Sequence, residues 1–366
     1  MTRPPLKGLQ LSELFYQETV QPLLTAHFPQ LTYSAALLGP GSEVLGFDDG
    51  QSTDHDWGPR LQLFLSAADH QTHQAAIHQL LRQELPDAIH GYPTNMVQIG
   101  GQPVDGPRQA GLPIEHSVQI VALPAFFRAL LRFDPTGPIK VTDWLSISQQ
   151  ALLMVVRGRV FYDGLGQLEP IRTRLRYYPH DLWLYLLAAQ WKRIAQEEAF
   201  MGRCGQVGDE LGSRLVASRL VRDLMRLSFL LERQYAPYTK WFGSAFAQLA
   251  SAATLGPILL QVLQADSWPA RETHLSEAYR LVAEKQNELA ITPPLATEVQ
   301  PYYNRPFQVI AADRFVDALR AAITDPDVLA LPAHLGAVDQ FIDSTDAFNS
   351  LYNGQLMLAY GTRSAD

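Results

Sequence analysis

Two aspartates that lie close together in the chain have the residue type and spacing of a metal site. In the segment Ser52-Thr53-Asp54-His55-Asp56, one residue separates the two carboxylates. Side chains two apart on an extended strand project to the same face, about 6.5 Å apart along the chain, so Asp54 and Asp56 could converge on one metal cluster. Mg²⁺ prefers hard oxygen ligands and is held by one or two carboxylates together with substrate phosphates. The pair therefore favours a magnesium site that binds a nucleoside triphosphate, and the alternative is a solvated acidic loop.

A glycine and a serine precede this pair by about a dozen residues. Residues 32–38 predict a short buried strand that stops at Gly39-Pro40-Gly41, and Leu61–Leu65 predict the next strand. Backbone amides at Gly41 and the hydroxyl of Ser42 lie where the first strand gives way to a helix. They could cradle the outer phosphates of a triphosphate there.

The elements that must position these residues change character along the chain. Hydrophobic spacing predicts helices at 11–28 and 68–84, and strands at 32–38, 61–65, 117–123 and within 158–166. Beyond Pro179 it predicts long helices over 180–200, 208–234, 238–265 and 270–290. We therefore predict an α+β protein with a mixed-sheet head at residues 1–165 and a mainly helical domain at 166–366.

Composition narrows the classes of function. The chain has 366 residues and a formal net charge of −8, which argues against general nucleic-acid binding because phosphate binding needs clustered Lys and Arg. Its single cysteine, Cys204, excludes an intramolecular disulfide and a cysteine-built zinc site. No apolar run reaches the ~20 residues of a membrane helix. We expect a cytoplasmic protein that does not bind membranes.

The Gly-Ser and Asp-x-Asp arrangement resembles the signature of the nucleotidyltransferase superfamily. The resemblance implies Mg²⁺ and ATP, or another nucleoside triphosphate, at Asp54 and Asp56. Members usually take a third carboxylate from a later strand, within Val-Glu-Val in the aminoglycoside enzymes. The matching stretch here is Val118-Gln119-Ile120, so Gln119 occupies the acid position. Because an amide is neither a strong magnesium ligand nor a general base, Glu115 is the alternative acid if the register differs.

Several further motifs resemble a bacterial family of unknown function. That family joins such a head to a helical domain similar to the one in aminoglycoside nucleotidyltransferases. The resemblance covers most of the chain but supplies no substrate. The motifs are Tyr178–Trp183, Gly208–Ser213, Tyr235–Trp241, Arg305–Phe307 and Val338–Phe341.

Three residues of the helical part are further candidates for ligand binding. Lys240 is the only cation between Arg233 and Arg271 and could pair with a triphosphate, although its stem could instead pack on Trp241. Asp209 and Glu210 begin a helical stretch, so helix capping explains them as well as a role in the site does.

These features predict transfer of a nucleoside monophosphate, with AMP from ATP as the expected group, to a hydroxyl acceptor. The acceptor is unidentified, and the acidic chain favours a small molecule. The helical domain is expected to select it. The alternative is a catalytically degenerate nucleotide-binding sensor or partner-binding protein, which Gln119 motivates. Binding of Mg-ATP fits both functions, whereas pyrophosphate release separates them.

Overall fold

A computed structural model describes residues 6–50, 57–99, 102–342 and 344. Asp54 and Asp56 lie outside the described residues, although the flanking Gly50 and Trp57 lie within them. The chain divides into two compact units. The first comprises Met1–Ile139 and Ala151–Arg176, and the second comprises Lys140–Gln150 and Tyr177–Asp366.

The elements of the N-terminal part confirm the α+β class. A helical stretch comes first, and short strands and helices follow it. In chain order they are α1 (Gly8–Phe15), a π-helical turn (Tyr16–Val20), α2 (Gln21–His27), β1 (Tyr33–Leu37), α3 (Ser42–Leu45), β2 (Arg60–Leu65), α4 (Ala67–Glu84), β3 (Ala88–Ile89), β4 (Tyr92–Pro93), β5 (Met96–Ile99), β6 (Gln102–Asp105), β7 (Ser117–Ala122) and α5 (Leu123–Leu131).

Two helices, one strand and one more helix follow before the long helices begin. They are α6 (Val141–Ser146), α7 (Gln149–Val156), β8 (Arg159–Asp163) and α8 (Leu168–Arg174). The remaining elements are α9 (His180–Glu197), α10 (Phe200–Gln206), α11 (Glu210–Leu231), α12 (Thr239–Phe246), α13 (Ala252–Gln264), α14 (Trp268–Glu288), β9 (Gln300–Pro301), β10 (Gln308–Val309), α15 (Asp313–Ala322), α16 (Pro326–Leu329) and α17 (Val338–Phe341).

A mixed four-stranded sheet organises the first unit. Its strand order is β7-β2-β1-β8, with β2 parallel to β7 and β1 antiparallel to both of its neighbours. Alternate residues of β2 face opposite sides. Leu61, Leu63 and Leu65 join a buried core with Leu11 and Phe15 of α1. Because successive side chains of a strand point to opposite faces, the three leucines pack against the helices, and Gln62 and Phe64 lie on the other face of the sheet.

Local sequence signals set several element boundaries. Ser66 caps α4 by accepting a hydrogen bond from the Asp69 N–H at 3.0 Å, and proline occupies the first turn of α5.

The prediction of a single helix over 238–265 is wrong. The chain forms α12 and α13 there, separated by a turn through residues 247–251. The predicted domain boundary near 165 remains a prediction, and the contacts group residues 166–176 with the first unit.

Candidate functional site

The Gly-Ser loop follows β1 in a conformation that requires glycine. Gly39 has φ 91° and Gly41 has φ 133°, both in the region that L-residues with side chains avoid. Gly41 is the N-cap of α3, and Ser42 is the first residue of that helix. The loop therefore turns sharply from the strand into the helix, as the sequence predicts.

Two side chains of β2 anchor this loop. The Gln62 amide accepts a hydrogen bond from the Leu38 N–H at 2.9 Å and donates one to the Leu38 carbonyl at 3.1 Å. Arg60 donates to the Pro40 carbonyl at 2.6 Å and to Glu43 Oε1, through Nε, at 2.7 Å. The entry of β2, which directly follows the Asp-x-Asp segment in sequence, is thus tied to the loop.

A carboxylate that the sequence interpretation missed lies at the same place. Asp105, the last residue of β6, packs so closely on Gly58 that a Cβ there would lie 1.7 Å from Asp105 Oδ2. Burial raises the pKa of Asp105 to about 7, the nearby Arg60 opposes this rise, and the charge of Glu43 adds to it. Asp105-Gly106 resembles an ordinary turn in the sequence, so only the fold identifies it as a site residue.

Glu43 completes the cluster beneath the loop. Its side chain is 1% exposed, and burial raises its pKa while Arg60 opposes the rise. Oε1 binds Arg60, whereas Oε2 has no hydrogen-bond partner within the described chain. The cluster thus holds a buried carboxylate that is paired with the guanidinium group of Arg60.

Asp48, which precedes the Asp-x-Asp segment, has a structural role in the described part of the chain. Its side chain is 6% exposed and accepts hydrogen bonds from the Gly8 N–H at 2.8 Å and from Trp57 Nε1 at 3.3 Å. It also pairs with Lys7 at 3.5 Å. Asp48 therefore fastens the start of α1 to the segment that precedes β2.

The parallel pairing of β2 and β7 brings the entry ends of both strands to one edge of the sheet. Arg60 is opposite Ser117, two residues after Glu115. The Met96 N–H donates to the Glu115 carbonyl at 2.7 Å, and Met96 is the cross-strand partner of Asp105. The loop, the entry of β2, Glu115 and Asp105 therefore meet at this edge.

The two candidates for the third acid differ in position. The Glu115 side chain is 58% exposed and forms an ion pair with Arg82. Gln119 is exposed and lies opposite Gln62, two positions further along the strands than the Arg60–Ser117 pair. Glu115 is thus at the edge itself, whereas Gln119 is further inside the sheet. Their roles remain predictions.

The three candidates of the helical part have local partners. Asp209 is the N-cap of α11 and accepts from the Gly212 N–H at 2.8 Å. Glu210 binds the buried Arg271 at 2.7 and 2.9 Å, and this arginine holds the pKa of Glu210 below its usual range. Lys240 is exposed, with Nζ 5.0 Å from the centre of the Trp241 ring. Asp209 therefore caps a helix and Lys240 lies near Trp241, which are the alternatives to ligand binding given above. A ligand role for all three residues remains a prediction.

Within the described ranges, no group of three His, Cys, Asp or Glu side chains is arranged to hold a metal ion. In the same residues, no helix has both the length and the apolar character needed to cross a membrane. The metal assignment therefore depends on Asp54 and Asp56.

Comparison with known proteins gives a partial likeness. A family described as a domain of unknown function (DUF4037) matches residues 144–242, about a quarter of the chain, and this segment includes three of the five motifs named above. No curated protein matches. A solved nucleotidyltransferase-like protein from Exiguobacterium sibiricum 255-15 is similar at 13% identity and a TM-score of 0.30, over 77% of this chain and 79% of that chain.

Proposed function

We propose that this protein is a magnesium-dependent nucleotidyltransferase that moves a nucleoside monophosphate, AMP from ATP, to a hydroxyl of a small-molecule acceptor. The observation that carries the proposal is the edge of the sheet described above. There, a glycine-dependent Gly-Ser loop meets the entry of β2, which follows Asp54-x-Asp56 in sequence. The Asp105 carboxylate packs on Gly58 at the same edge, and the main chain of Glu115 lies there through the hydrogen bond that its carbonyl accepts from Met96.

The loop binds the outer phosphates of the triphosphate in this proposal. Backbone N–H groups around Gly41 and the Ser42 hydroxyl are the donors. Gln62 and Arg60 hold the loop against β2, so the donors are positioned before the substrate arrives.

The residue types of the Asp-x-Asp pair suit a magnesium ion, which prefers carboxylate oxygens. Among the described carboxylates nearby, Glu43 pairs with Arg60 and Glu115 pairs with Arg82. Asp54 and Asp56 would hold the ion. When bound, it neutralises phosphate charge and orients the triphosphate.

Asp105 would act as the general base that removes the proton of the acceptor hydroxyl. Its pKa of about 7 lets it take a proton near neutral pH, which suits general-base catalysis. The acceptor oxygen forms a bond to the α-phosphorus, the bond from that phosphorus to the bridging oxygen of the β-phosphate breaks, and pyrophosphate leaves. The hydroxyl proton passes to Asp105. Glu115, with its Arg82 partner, is the second candidate for this role.

Pyrophosphate release tests the proposal, measured with each of the four nucleoside triphosphates over a panel of hydroxylated acceptors with and without Mg²⁺. The Asp54→Asn/Asp56→Asn variant should lose Mg-ATP binding and release. Asp105→Asn should keep Mg-ATP binding but lose on the order of 10²-fold or more in rate. Asp87→Asn is the matched control, because Asp87 is 73% exposed and pairs only at the surface with Arg108.

The outcomes separate the candidates for the base. If Asp105→Asn keeps the wild-type rate of pyrophosphate release and Glu115→Gln loses most of it, the general base is Glu115. Unchanged ATP affinity in the double Asn variant would refute the metal site.

The second candidate function is a nucleotide-binding sensor without turnover. Gln119 favours it, because this residue stands where the resembling enzymes have an acid. In that case the wild type binds Mg-ATP and releases no pyrophosphate with any acceptor. Gln119→Glu should then raise release above the wild-type background.

A further inference from the structure

The second unit contains a cavity that the proposed function does not use. Its volume is about 280 Å³. Parts of two motifs from the sequence analysis lie on its wall, residues 236–239 of Tyr235–Trp241 and residues 339–340 of Val338–Phe341. The start of α7 and one side of α11 supply most of the remaining described wall. The fold thus brings together, around one cavity, segments that are far apart in the chain.

Two glutamines at the start of α7 are held in place by main-chain groups of the cavity wall. Gln149 Oε1 accepts a hydrogen bond from the Ala236 N–H at 2.8 Å, and Gln150 Oε1 accepts one from the Tyr238 N–H at 3.0 Å. Only 7% of Gln149 and 6% of Gln150 are exposed. Because a main-chain N–H needs an acceptor, these two bonds fix which atom of each amide is the oxygen and which is the nitrogen.

The nitrogen atoms of the same two amides are available to a ligand. In the part of the chain that the structure describes, neither Gln149 Nε2 nor Gln150 Nε2 has a hydrogen-bond partner. Both residues line the cavity and are otherwise buried, so these N–H donors open into it. A ligand that lacks hydrogen-bond acceptors would leave them unsatisfied, which costs free energy in a buried site.

Asp339 supplies a hydrogen-bond acceptor to the same cavity. Its carboxyl group accepts from the Gln149 N–H at 2.9 Å. Burial raises the pKa of Asp339 to about 6, while the Gln149 N–H and the charge of Arg226 oppose the rise. The group is therefore mostly ionised at neutral pH and can only accept hydrogen bonds. Arg226 also donates to the Asp339 carbonyl, so a positive charge already balances this carboxylate.

Another wall of the cavity is apolar. Phe242, Pro237 and Met225 line it. The Phe242 ring packs against Phe229, with 5.4 Å between the ring centres, so its position is set by the core of the unit. A ligand that fits the whole cavity therefore needs polar groups on one side and an apolar face on the other.

We propose that this cavity binds one ring of an uncharged polyhydroxylated molecule, such as a monosaccharide. A hydroxyl group both donates and accepts, so neighbouring hydroxyls can accept from the glutamine amides and donate to Asp339. The C–H face of the ring would lie on the apolar wall. An anionic group would be repelled by Asp339 and a cationic group by Arg226, which favours an uncharged ligand. The site lies wholly within the second unit, and the inference does not rest on the proposed transferase activity.

Gln150→Glu tests the amide donors without removing the acceptor. A glutamate oxygen can still accept from the Tyr238 N–H, whereas the N–H donors of the amide are lost. Gln261→Glu is the matched control, because it makes the same change at an exposed residue of α13 that is not part of the cavity's described lining.

Gly243 allows a second test that leaves every polar group untouched. It lines the cavity within α12, and a Cβ added there meets no atom within 4 Å. Gly243→Leu should fill the space while improving the helix propensity of α12, so the variant should fold. Gly243→Ala is its matched control, since it improves the helix and fills little of the space.

The experiment is ligand-observed NMR and calorimetric titration of the full chain in EDTA with D-glucose, D-galactose, D-mannose, D-ribose and myo-inositol. Glucose 6-phosphate and D-glucosamine are the charged counterparts. We expect at least one uncharged compound to bind, and more tightly than either charged one. Gln150→Glu should weaken this binding by about 3- to 10-fold, the effect of losing one hydrogen bond. Gly243→Leu should abolish it, whereas Gly243→Ala and Gln261→Glu should preserve it.

Three outcomes would overturn the inference. They are the absence of binding for all five uncharged compounds, binding that survives unchanged in Gly243→Leu or Gln150→Glu, and tighter binding of a charged counterpart. The Asp54→Asn/Asp56→Asn variant should bind the uncharged compound normally. Loss of binding in that variant would place the compound in the first unit and also overturn the inference.

Discussion

Replacement of Arg60 by methionine should damage the first unit far more than the loss of an ordinary surface ion pair. The Arg60 side chain is 13% exposed, and its partner Glu43 is fully buried. Arg60→Met leaves the Glu43 carboxylate without the guanidinium and also frees the Pro40 carbonyl. Removal of one partner of a buried pair costs about 3–5 kcal/mol. For a unit of this size the melting temperature should fall by roughly 6–20 °C.

The loss should depend on pH in a defined direction. Burial already raises the pKa of Glu43 with Arg60 present, and without Arg60 the pKa should rise further. A carboxyl group with a raised folded-state pKa stabilises the fold below its unfolded-state pKa, and this stability is lost as the pH rises through the folded-state pKa. Arg60→Met should therefore be less stable at pH 8 than at pH 5, relative to the wild type.

Scanning calorimetry measures the fall in melting temperature and its dependence on pH. Hydrogen exchange of the β1 and β2 peptides shows which calorimetric transition belongs to the first unit. Glu43→Gln combined with Arg60→Met should recover part of the loss, because no buried charge remains. Arg159→Met is the control, since it removes only the more exposed pair with Glu13 and should cost less than about 1 kcal/mol. A cost for Arg60→Met no larger than this control would refute the claim that Arg60 compensates a buried carboxylate.

Two further predictions concern the helical unit. If Lys240 binds the triphosphate, Lys240→Ala should weaken ATP binding more than AMP binding in paired titrations, whereas equal losses would favour its stacking on Trp241. Glu198 is 6% exposed, Oε2 has no hydrogen-bond partner in the described chain, and burial raises its pKa to about 7. Since an unfolded glutamate titrates near pH ~4.3, the stability that Glu198 contributes should be lost as the pH rises from about 4 to about 7. Thermal melts should show Glu198→Gln gaining on the wild type over that range, and parallel melting curves would contradict this.

The sequence predicted the elements whose signals are local. The strand before Gly39, the strand at Leu61–Leu65 and the helix after Ser66 follow from hydrophobic periodicity and capping, which act within a few residues. The split between α12 and α13 was missed because apolar periodicity continues through both helices. Strands β3 to β6 were missed because they are only two to four residues long and carry weak patterns.

The same division holds for the candidate site. The sequence by itself predicted the Gly-Ser loop and the Asp-x-Asp pair, because residue type and spacing along one stretch of chain define them, and a metal-binding role for the pair stays a prediction. Only the tertiary structure placed Asp105 against Gly58 and Glu115 at the entry edge of the sheet. The tertiary structure also pairs Glu210 with the buried Arg271, which lies 61 residues further along the chain. These relations depend on strand register and burial, which arise when distant segments pack, and no local pattern encodes them.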